Sequence, residues 1–418
     1  MHKNIFLKLL LCLKLTCIAF FLCSFFVPHF VTPTHTNCYI FCNFEARVSV
    51  PYNLDVNNDL ADEVTKKLNE LDTNKFDEIL SSLTNQQKAI FGKSSFSNKI
   101  KQIISGNEKF NFETFIQLIF LMIGDNILDI IPILATVCAI AIMSNLLMKM
   151  RGKALNKSLG DIIHFACFSV IVVVVLAGVA ELIKLTSSTL QSLKAQMEVL
   201  FPILLTLMAS LGANTSISIY QPFIAILSGV MMNVFSKVIL PIFSLSIVFN
   251  VIGNLTSTVK LNKFSDFFSS AFKISTGFCF TIFLGALSVS GIVAGSFDGI
   301  SIRATKFAIK SYIPTIGGYL SDGFSLILAS SVLIKNAGGY TGILLIFVTI
   351  ISPLTKILLF KLGLSLVASI IEPVADQRVT NFVSKTAKSL SMLSSILIAF
   401  SFAYIVFVGL IMCTSNVV

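Results

Sequence analysis

Long apolar runs fill the chain from about residue 126 to 413, and they constrain the fold more than any other feature. Of the 418 residues, 55% are hydrophobic and only 12% are charged. A soluble chain of this length needs far more polar surface to cover its core. The sequence therefore predicts an all-α, polytopic integral membrane protein.

The apolar residues divide into about ten segments. Several are shorter than the roughly 20 residues that cross a hydrocarbon core as one helix, and the short segments come in adjacent pairs. We therefore expect transmembrane helices interspersed with Pro- or Gly-broken helix pairs or re-entrant hairpins. The segments fall near 127–147, 162–183, 198–213, 219–235, 238–256, 274–296, 313–320, 324–337, 341–372 (in one or two pieces) and 389–413.

Three regions precede or make up this organisation. Residues 1–36 place Lys3, Lys8 and Lys14 around an apolar run, which is typical of a secretory signal, although a retained N-terminal anchor stays an alternative because no clean cleavage site follows. Residues 37–113 are predicted to form an extracytoplasmic helical head. Residues 114–418 form the membrane domain.

The head shows helical periodicity on both sides of a break at Asp72-Thr73-Asn74. Leu60, Val64 and Leu68 recur at helical spacing before the break and Phe76, Ile79 and Leu80 after it, which predicts two or three amphipathic helices. About 70 residues make a marginal core, so we expect the head to lean on the membrane or on a partner. Whether Cys38 and Cys42 form a disulfide is left open.

A tandem repeat is indicated by prolines that recur at a constant interval. The interval from Pro202 to Pro314 equals the interval from Pro241 to Pro353, and Pro132 precedes Pro241 by nearly the same distance along the chain. We therefore predict repeat units near 127–237, 238–349 and 350–413, each with two spans, and with a Pro-marked hairpin in the first two. Successive units then insert in the same orientation.

The repeat predicts that the basic loops lie on one side of the membrane. The positive-inside rule places that side in the cytoplasm, in agreement with an exported head. Much of the formal charge of +10 lies in such loops, where it contacts anionic lipid; nucleic-acid binding is not expected. The residues are Lys149, Arg151, Lys153 and Lys157; Lys260, Lys263 and Lys273; and Arg378, Lys385 and Lys388.

The chain carries no recognisable catalytic or nucleotide-binding motif. It has four scattered His residues and no HExxH, CxxC, GxSxG or P-loop pattern. We therefore expect that the protein is not an enzyme and has no metal or other cofactor.

Ionisable residues inside apolar segments are costly in lipid and are the remaining site candidates. Asp129 lies one turn inside the first span, and Glu181 is expected to pair with Lys184 at the end of the second. Asp322 lies between two short apolar pieces, beside Gly317, Gly318 and Gly323 and after Pro314. Together with Pro202 in the first unit, these residues mark either a pathway through broken helices or an interfacial turn.

A basic amphipathic segment, residues 298–312, precedes Pro314. Arg303, Lys306 and Lys310 share one helical face, which is typical of a helix lying in the membrane interface. Lipid phosphate is the simpler ligand, and an acidic surface of another protein is the alternative.

The chain resembles the stage III sporulation protein AE family of endospore-forming Firmicutes over roughly residues 110–418. The resemblance is most specific in SVSGIVAGSFDGISIRATKFAIKSYIPTIGGYL (288–320), in ASSVLIKNAGG (329–339) and in the start of the Pro353 segment. It implies a multi-pass subunit, in the mother-cell membrane around the forespore, of a channel-like multiprotein complex that joins a forespore protein. The family supplies no catalytic residues.

Three hypotheses follow for the role of the chain. It is a translocation subunit whose hairpins line a passage, a structural scaffold of the same complex, or an independent secondary transporter. Expected partners are other membrane subunits, a forespore-side protein and anionic lipid, and self-association is left open.

Overall fold

The computed structural model describes residues 58–71, 73–92, 94–106, 112–154, 157–255, 261–312 and 317–414. The chain divides into two compact units, Met1–Ala61 and Asp62–Val418. Only residues 58–61 of the first unit are described, so the predicted signal, Cys38 and Cys42 lie outside the described residues.

The described part of the head, residues 58–106 with gaps at 72 and 93, contains four short helices, where two or three were predicted. They are α1 (Asn58–Glu70), α2 (Asn74–Ser82), α3 (Asn85–Phe91) and α4 (Phe96–Ile104). The break between α1 and α2 falls where the sequence predicts it.

Capping and ring packing hold the head helices together. Thr84 precedes α3 and forms a capping box with Gln87. The Thr84 hydroxyl accepts a hydrogen bond from the backbone N–H of Gln87, and the side-chain carbonyl of Gln87 accepts one from the backbone N–H of Thr84. The Phe76 and Phe96 rings pack with centroids 4.1 Å apart and form the centre of the head core.

Six long helices follow the head. They are α5 (Phe112–Ala154), α6 (Lys157–Ser210), α7 (Asn214–Leu255), α8 (Asn262–Tyr312), α9 (Gly317–Ile371) and α10 (Gln377–Cys413). Two π-helical stretches, Ile226–Met231 and Phe235–Ile239, interrupt α7 without ending it. Among the described residues, each of the six is long and apolar enough to cross a membrane, and the protein is a multi-pass, all-α membrane protein.

The prediction of about ten separate apolar segments, several of them short, is wrong in the part of the chain that the structure describes. Segments 162–183 and 198–213 are both parts of α6, segments 219–235 and 238–256 are both parts of α7, and 324–337 and 341–372 are both parts of α9. The predicted unit boundaries near 237/238 and 349/350 therefore fall inside α7 and α9, so the predicted units do not correspond to sets of whole helices. The sequence repeat itself stays a prediction.

The expected helical hairpin does occur between α6 and α7, but its arms are halves of longer helices. The chain reverses at Leu211–Ala213, where the amides of Leu211 and Ala213 both donate to the Met208 carbonyl. Gly212 has φ of +74°, a left-handed conformation that strongly favours glycine at a helix end.

The connections between successive long helices lie alternately at the two ends of the bundle. At one end, called the basic end, Lys385 of α10 lies 3.6 Å from Asp266 of α8, and Phe168 of α6 contacts Phe382 of α10. At the other end, called the head end, Phe96 of the head and Leu204 of α6 both lie beside Gly338 of α9. The predicted basic loops therefore lead to one end of the bundle, and the head packs at the other.

Small polar side chains join the helices near the basic end. Asn250 donates to the Phe382 carbonyl at 3.2 Å and to the Thr386 hydroxyl at 3.0 Å. Ser246 and Ser269 share a hydrogen bond of 2.7 Å. Such bonds are a typical means of holding helices together where lipid removes the hydrophobic drive. They fix α7, α8 and α10 at a common height.

Candidate functional site

The outward face of α6 changes character half-way along the helix. Between the basic end and Glu181 its exposed residues are apolar, among them Phe165, Val170 and Val173. From Lys184 onward they are mainly polar or small, among them Ser188 and Gln191. Only the first half of α6 therefore presents a surface suited to lipid.

The outward face of α7 changes in the same way. Val238, Leu245 and Val248 are exposed on the half near the basic end, whereas Asn214, Thr215, Ser218 and Gln221 are exposed at the head end. Lys237 is exposed where the apolar part begins. We call the apolar part of this surface the apolar belt, and residues 184–237 the upper tier.

The height of the apolar belt matches one bilayer. Phe165 to Glu181 spans about 24 Å of α6, and Val238 to Leu255 about 26 Å of α7, at 1.5 Å per residue. A hydrocarbon core is about 30 Å thick. The whole apolar stretch of α6, Phe165–Ser210, is about 69 Å long and exceeds a bilayer more than twofold.

A small charged cavity lies where the belt of α6 ends. It measures about 260 Å³ and is lined by Asp129 of α5, Glu181 of α6 and Lys356 of α9, with Gly178 and Phe360 beside them. Lys356 donates to Glu181 at 2.6 Å and neutralises it. The cavity therefore retains the charge of the Asp129 carboxylate, which belongs to no ion pair among the described residues.

This geometry corrects two predictions. Glu181 pairs with Lys356 on a different helix, and Lys184 is exposed outside that pair. Positions three apart on a helix are neighbours, but α9 brings Lys356 to 2.6 Å from the Glu181 carboxylate. Asp129, predicted as a buried charge, is exposed. It lies at the border of the belt, where a carboxylate reaches headgroup water.

A buried polar cluster joins three helices at the head end. The Lys335 ammonium of α9 is fully buried and donates to the Thr414 carbonyl at the end of α10. The Tyr220 and Thr414 hydroxyls share a hydrogen bond of 2.8 Å, which brings in α7. A cation at a helix C-terminus is favoured by the unpaired carbonyls and the helix dipole. The cluster therefore fastens the end of α10 to α7 and α9.

The head connects to the membrane helices one turn away from this cluster. Lys67 of α1 donates to the Ser331 hydroxyl and, at 3.4 Å, to the Ile327 carbonyl of α9. Burial in this contact lowers the pKa of the Lys67 ammonium, and the nearby Glu63 and Glu70 partly oppose the shift. The sequence predicts that the head leans on the membrane or on a partner; in the structure it contacts helix α9 of its own chain.

The structure does not gather the remaining predicted site residues at a broken helix. Pro202 is exposed within continuous α6. Gly317, Gly318, Asp322 and Gly323 lie in the first turns of continuous α9, so the predicted break there is wrong. Pro314 is outside the described residues.

The prediction for the basic segment, residues 298–312, is confirmed only in part. Arg303, Lys306 and Lys310 lie in the last turns of α8, which runs unbroken to Tyr312. Helix is therefore confirmed for this segment, while its position in the membrane interface stays a prediction.

Sequence reasoning missed Lys335, Lys356 and Lys237. Each interrupts an apolar run, which is a usable signal, since a charge in such a run needs a partner or an exit to water. Lys335 also lies within one of the stretches in which the family resemblance is most specific.

Comparison with known proteins decides the family. The family model described as stage III sporulation protein AE matches residues 94–415, which is most of the chain. The chain belongs to this family. A curated relative, stage III sporulation protein AE of Bacillus subtilis (strain 168), is 21% identical over 346 residues, covering 83% of this chain and 86% of the relative. No solved structure matches the chain.

Membership in the stage III sporulation protein AE family implies a role in sporulation. The matched region begins at the end of the head and covers all six long helices. The belt, the charged cavity and the buried cluster all lie within it.

Proposed function

We propose that this chain is the membrane-embedded subunit of a channel or secretion-like complex that links the mother cell and the forespore and supports forespore development. It resides in the mother-cell membrane around the forespore, with its head and upper tier on the extracytoplasmic side. The proposal assigns it no catalytic step and no cofactor.

One observation carries the proposal, which is the upper tier standing above the apolar belt. A protein that only needed anchoring would end where the belt ends. Here α6 and α7 continue about 35 Å or more beyond it with a largely polar outward face, and the head adds to the same end. Such a body suits a subunit that contacts other proteins between two membranes.

The interior of the upper tier is closely packed, so a passage would lie outside the helix bundle. Leu193, Met197, Phe201 and Leu204 are all fully buried, and they fill the space between the helices. Closely packed interiors leave no room for a solute. A passage in the complex is therefore lined by outward polar residues such as Ser188 and Gln191, and other subunits complete its wall.

The scaffold remains the second candidate function, because the upper tier would serve equally to hold other subunits. The two differ in what a bulky outward residue does. Tryptophan at a passage wall obstructs transport and leaves assembly intact, whereas tryptophan at a binding surface disrupts assembly.

The test uses Gln191→Trp and Ser188→Trp in sporulating cells, with Val173→Trp in the belt as the matched control. Val173 and Gln191 are separated by a whole number of helical turns, about five, and therefore share one face of α6. We expect the upper-tier variants to lower late forespore gene expression while copurification of the other membrane subunits is unchanged. The control should alter neither.

Several results would count against the proposal. Loss of copurification with Gln191→Trp would favour the scaffold. Normal spore formation after deletion of the whole gene, or a chain located only in the forespore membrane, would remove the proposed role altogether. An independent transporter would instead give a substrate effect when the chain is expressed alone.

A further inference from the structure

An apolar surface on α5 rises above the level of the cavity. Phe120, Leu121 and Leu128 are each more than 60% exposed, and they line a groove of about 800 Å³. Asp125 lines the same groove, and Asp129, which lines the charged cavity, follows Leu128 of the groove directly in the chain. We call this surface the α5 face. It lies above the level at which the apolar belt of α6 ends.

A second apolar surface lies on α7, above Lys237. Ile226 and Val230 are exposed there, at 39% and 57%, with Asn233 between them and Lys237. We call this surface the α7 face. Both π-helical stretches of α7 fall within or beside it. π-Helical stretches are frequent at functional sites, because they re-aim side chains that a regular helix would place elsewhere.

The two faces lie at the same height in the bundle. Phe168 of α6 and Asn250 of α7 both contact Phe382, so they are level with each other. Thirteen residues, about 20 Å, separate Phe168 from Glu181, and thirteen also separate Asn250 from Lys237.

Asp129 joins this level because it lines one cavity with Glu181. Above it, Leu121 is eight residues from Asp129, and Val230 is seven residues from Lys237. Both apolar faces therefore rise about 10–12 Å above an exposed charge, negative on α5 and positive on α7.

The two faces belong to different sides of α6. α5 packs on α6 and α9, whereas α7 packs on α8, α10 and the other side of α6. No substantial contact joins α5 to α7 in the described part of the chain. One copy cannot cover its own α5 face with its own α7 face, but neighbouring copies in one membrane present the two at equal height.

We infer that the α5 face of one copy packs against the α7 face of the next, with Asp129 opposite Lys237 and Leu121 opposite Val230. The occupant of the α5 face is therefore a second copy of this chain. The contact is heterologous, since two different surfaces meet, and repeated copies close into a ring or extend as a filament.

The charges favour this occupant over others. A second copy brings a lysine to the height of Asp129 and apolar side chains to the height of Phe120 and Leu121. Lipid tails would leave the Asp129 carboxylate at the belt border without a cation, and a self-symmetric contact would place two Asp129 carboxylates together. Like charges at an interface oppose association.

Cysteine crosslinking in native membranes tests the contact. Two differently tagged copies are expressed together in a background without other cysteines, one with Leu121→Cys and the other with Val230→Cys. We expect a disulfide-linked dimer with this combination. The matched controls, Leu121→Cys with itself and Val230→Cys with itself, should give none.

Charge reversal tests the same contact by a second route. Asp129→Lys alone and Lys237→Asp alone should each lower the Leu121–Val230 crosslink about tenfold, because like charges then face each other. The chain carrying both reversals should recover it. Membrane levels of each variant show that loss of crosslink is not loss of protein.

Three results would overturn the inference. They are a Leu121–Leu121 crosslink, which means a self-symmetric dimer; capture of a different protein by Leu121→Cys; and no crosslink at all with normal protein levels. The inference extends the proposed function but fails separately from it. If spores form normally when the single reversals abolish the crosslink, the ring is dispensable; if deletion of the gene leaves sporulation normal, the proposed function itself fails.

Discussion

The two halves of α6 have similar interiors and opposite exteriors. Ile171 and Val175 in the lower half and Leu193 and Phe201 in the upper half are all fully buried. Outward, Val173 faces lipid below Glu181, while Gln191, further along the same face, is polar. Mean hydropathy treats the whole stretch as one membrane segment, because it averages over the inward residues. The outward residues alone show where the bilayer ends.

A lysine on the belt should have the largest effect. Val173→Lys places a charge near the middle of the lipid-facing surface. A lysine at the centre of a membrane helix raises the free energy of insertion by about 2.5–3.5 kcal/mol. We expect severalfold less protein in the membrane fraction by quantitative blotting. Gln191→Lys, on the same face of the upper tier, should leave the amount within error. Equal losses for the two variants would erase the distinction between the halves.

Loss of the buried lysine should come next. Lys335→Ala opens a cavity and leaves the Thr414 carbonyl without its donor, at a cost of about 2–5 kcal/mol. We expect a clear drop in the thermal unfolding midpoint of the detergent-purified protein. Lys194→Ala, which removes an exposed pair with Glu198, should shift the midpoint little. A small effect of Lys335→Ala would mean that the cluster does not fasten α10.

A methyl group at the border of the belt should have an intermediate effect. A Cβ at Gly178 would lie 2.5 Å from the Phe360 ring, so Gly178→Ala must push α6 away from α9. We expect this overpacking to lower the free energy of unfolding by about 1–3 kcal/mol. Gly285→Ala, where nothing lies within 4 Å, is the matched control. Thermal unfolding again measures both, and unchanged stability of Gly178→Ala would show that the cavity walls yield easily.

Docking of the head should depend weakly on pH. Because burial lowers the pKa of Lys67, the folded state holds its proton less tightly than the unfolded state, whose value is near 10.5. The resulting destabilisation is fully present at low pH and is relieved as pH rises from the lowered pKa toward 10.5. Hydrogen exchange in α1 should slow slightly across that range, relative to Lys67→Met. Identical profiles would exclude this contribution.

The sequence predicted the class of fold and the helical head, but not the length of the helices. Pro202 is predicted to mark a break between short helices, since proline removes one backbone hydrogen bond, whereas Pro132 is predicted to lie within a spanning helix. In the structure both are exposed on continuous helices, and nearby turns are held by buried residues such as Phe201 and Val137. Packing along a whole helix outweighs one lost bond. Sequence alone does not reveal which turns pack.

The candidate site was only partly predictable. Asp129 was found because it interrupts an apolar run, and Glu181 because it ends one. Their relation could not be found, since Lys356 lies 175 residues from Glu181 in the chain. The three charged residues are far apart in the sequence, and only the packing of α5, α6 and α9 brings Asp129, Glu181 and Lys356 to one cavity.

The π-helical stretches of α7 lie between the apolar belt and the hairpin of the upper tier. Each holds more residues per turn than the α-helix on either side of it. Deleting a single residue there would rewind the stretch to α-helix, and residues 214–225 would keep nearly the same orientation relative to 240–255, because the tighter winding makes up for the lost residue. Relatives that lack one residue at this position would therefore keep the same membrane anchor and present the same side of the hairpin to their neighbours.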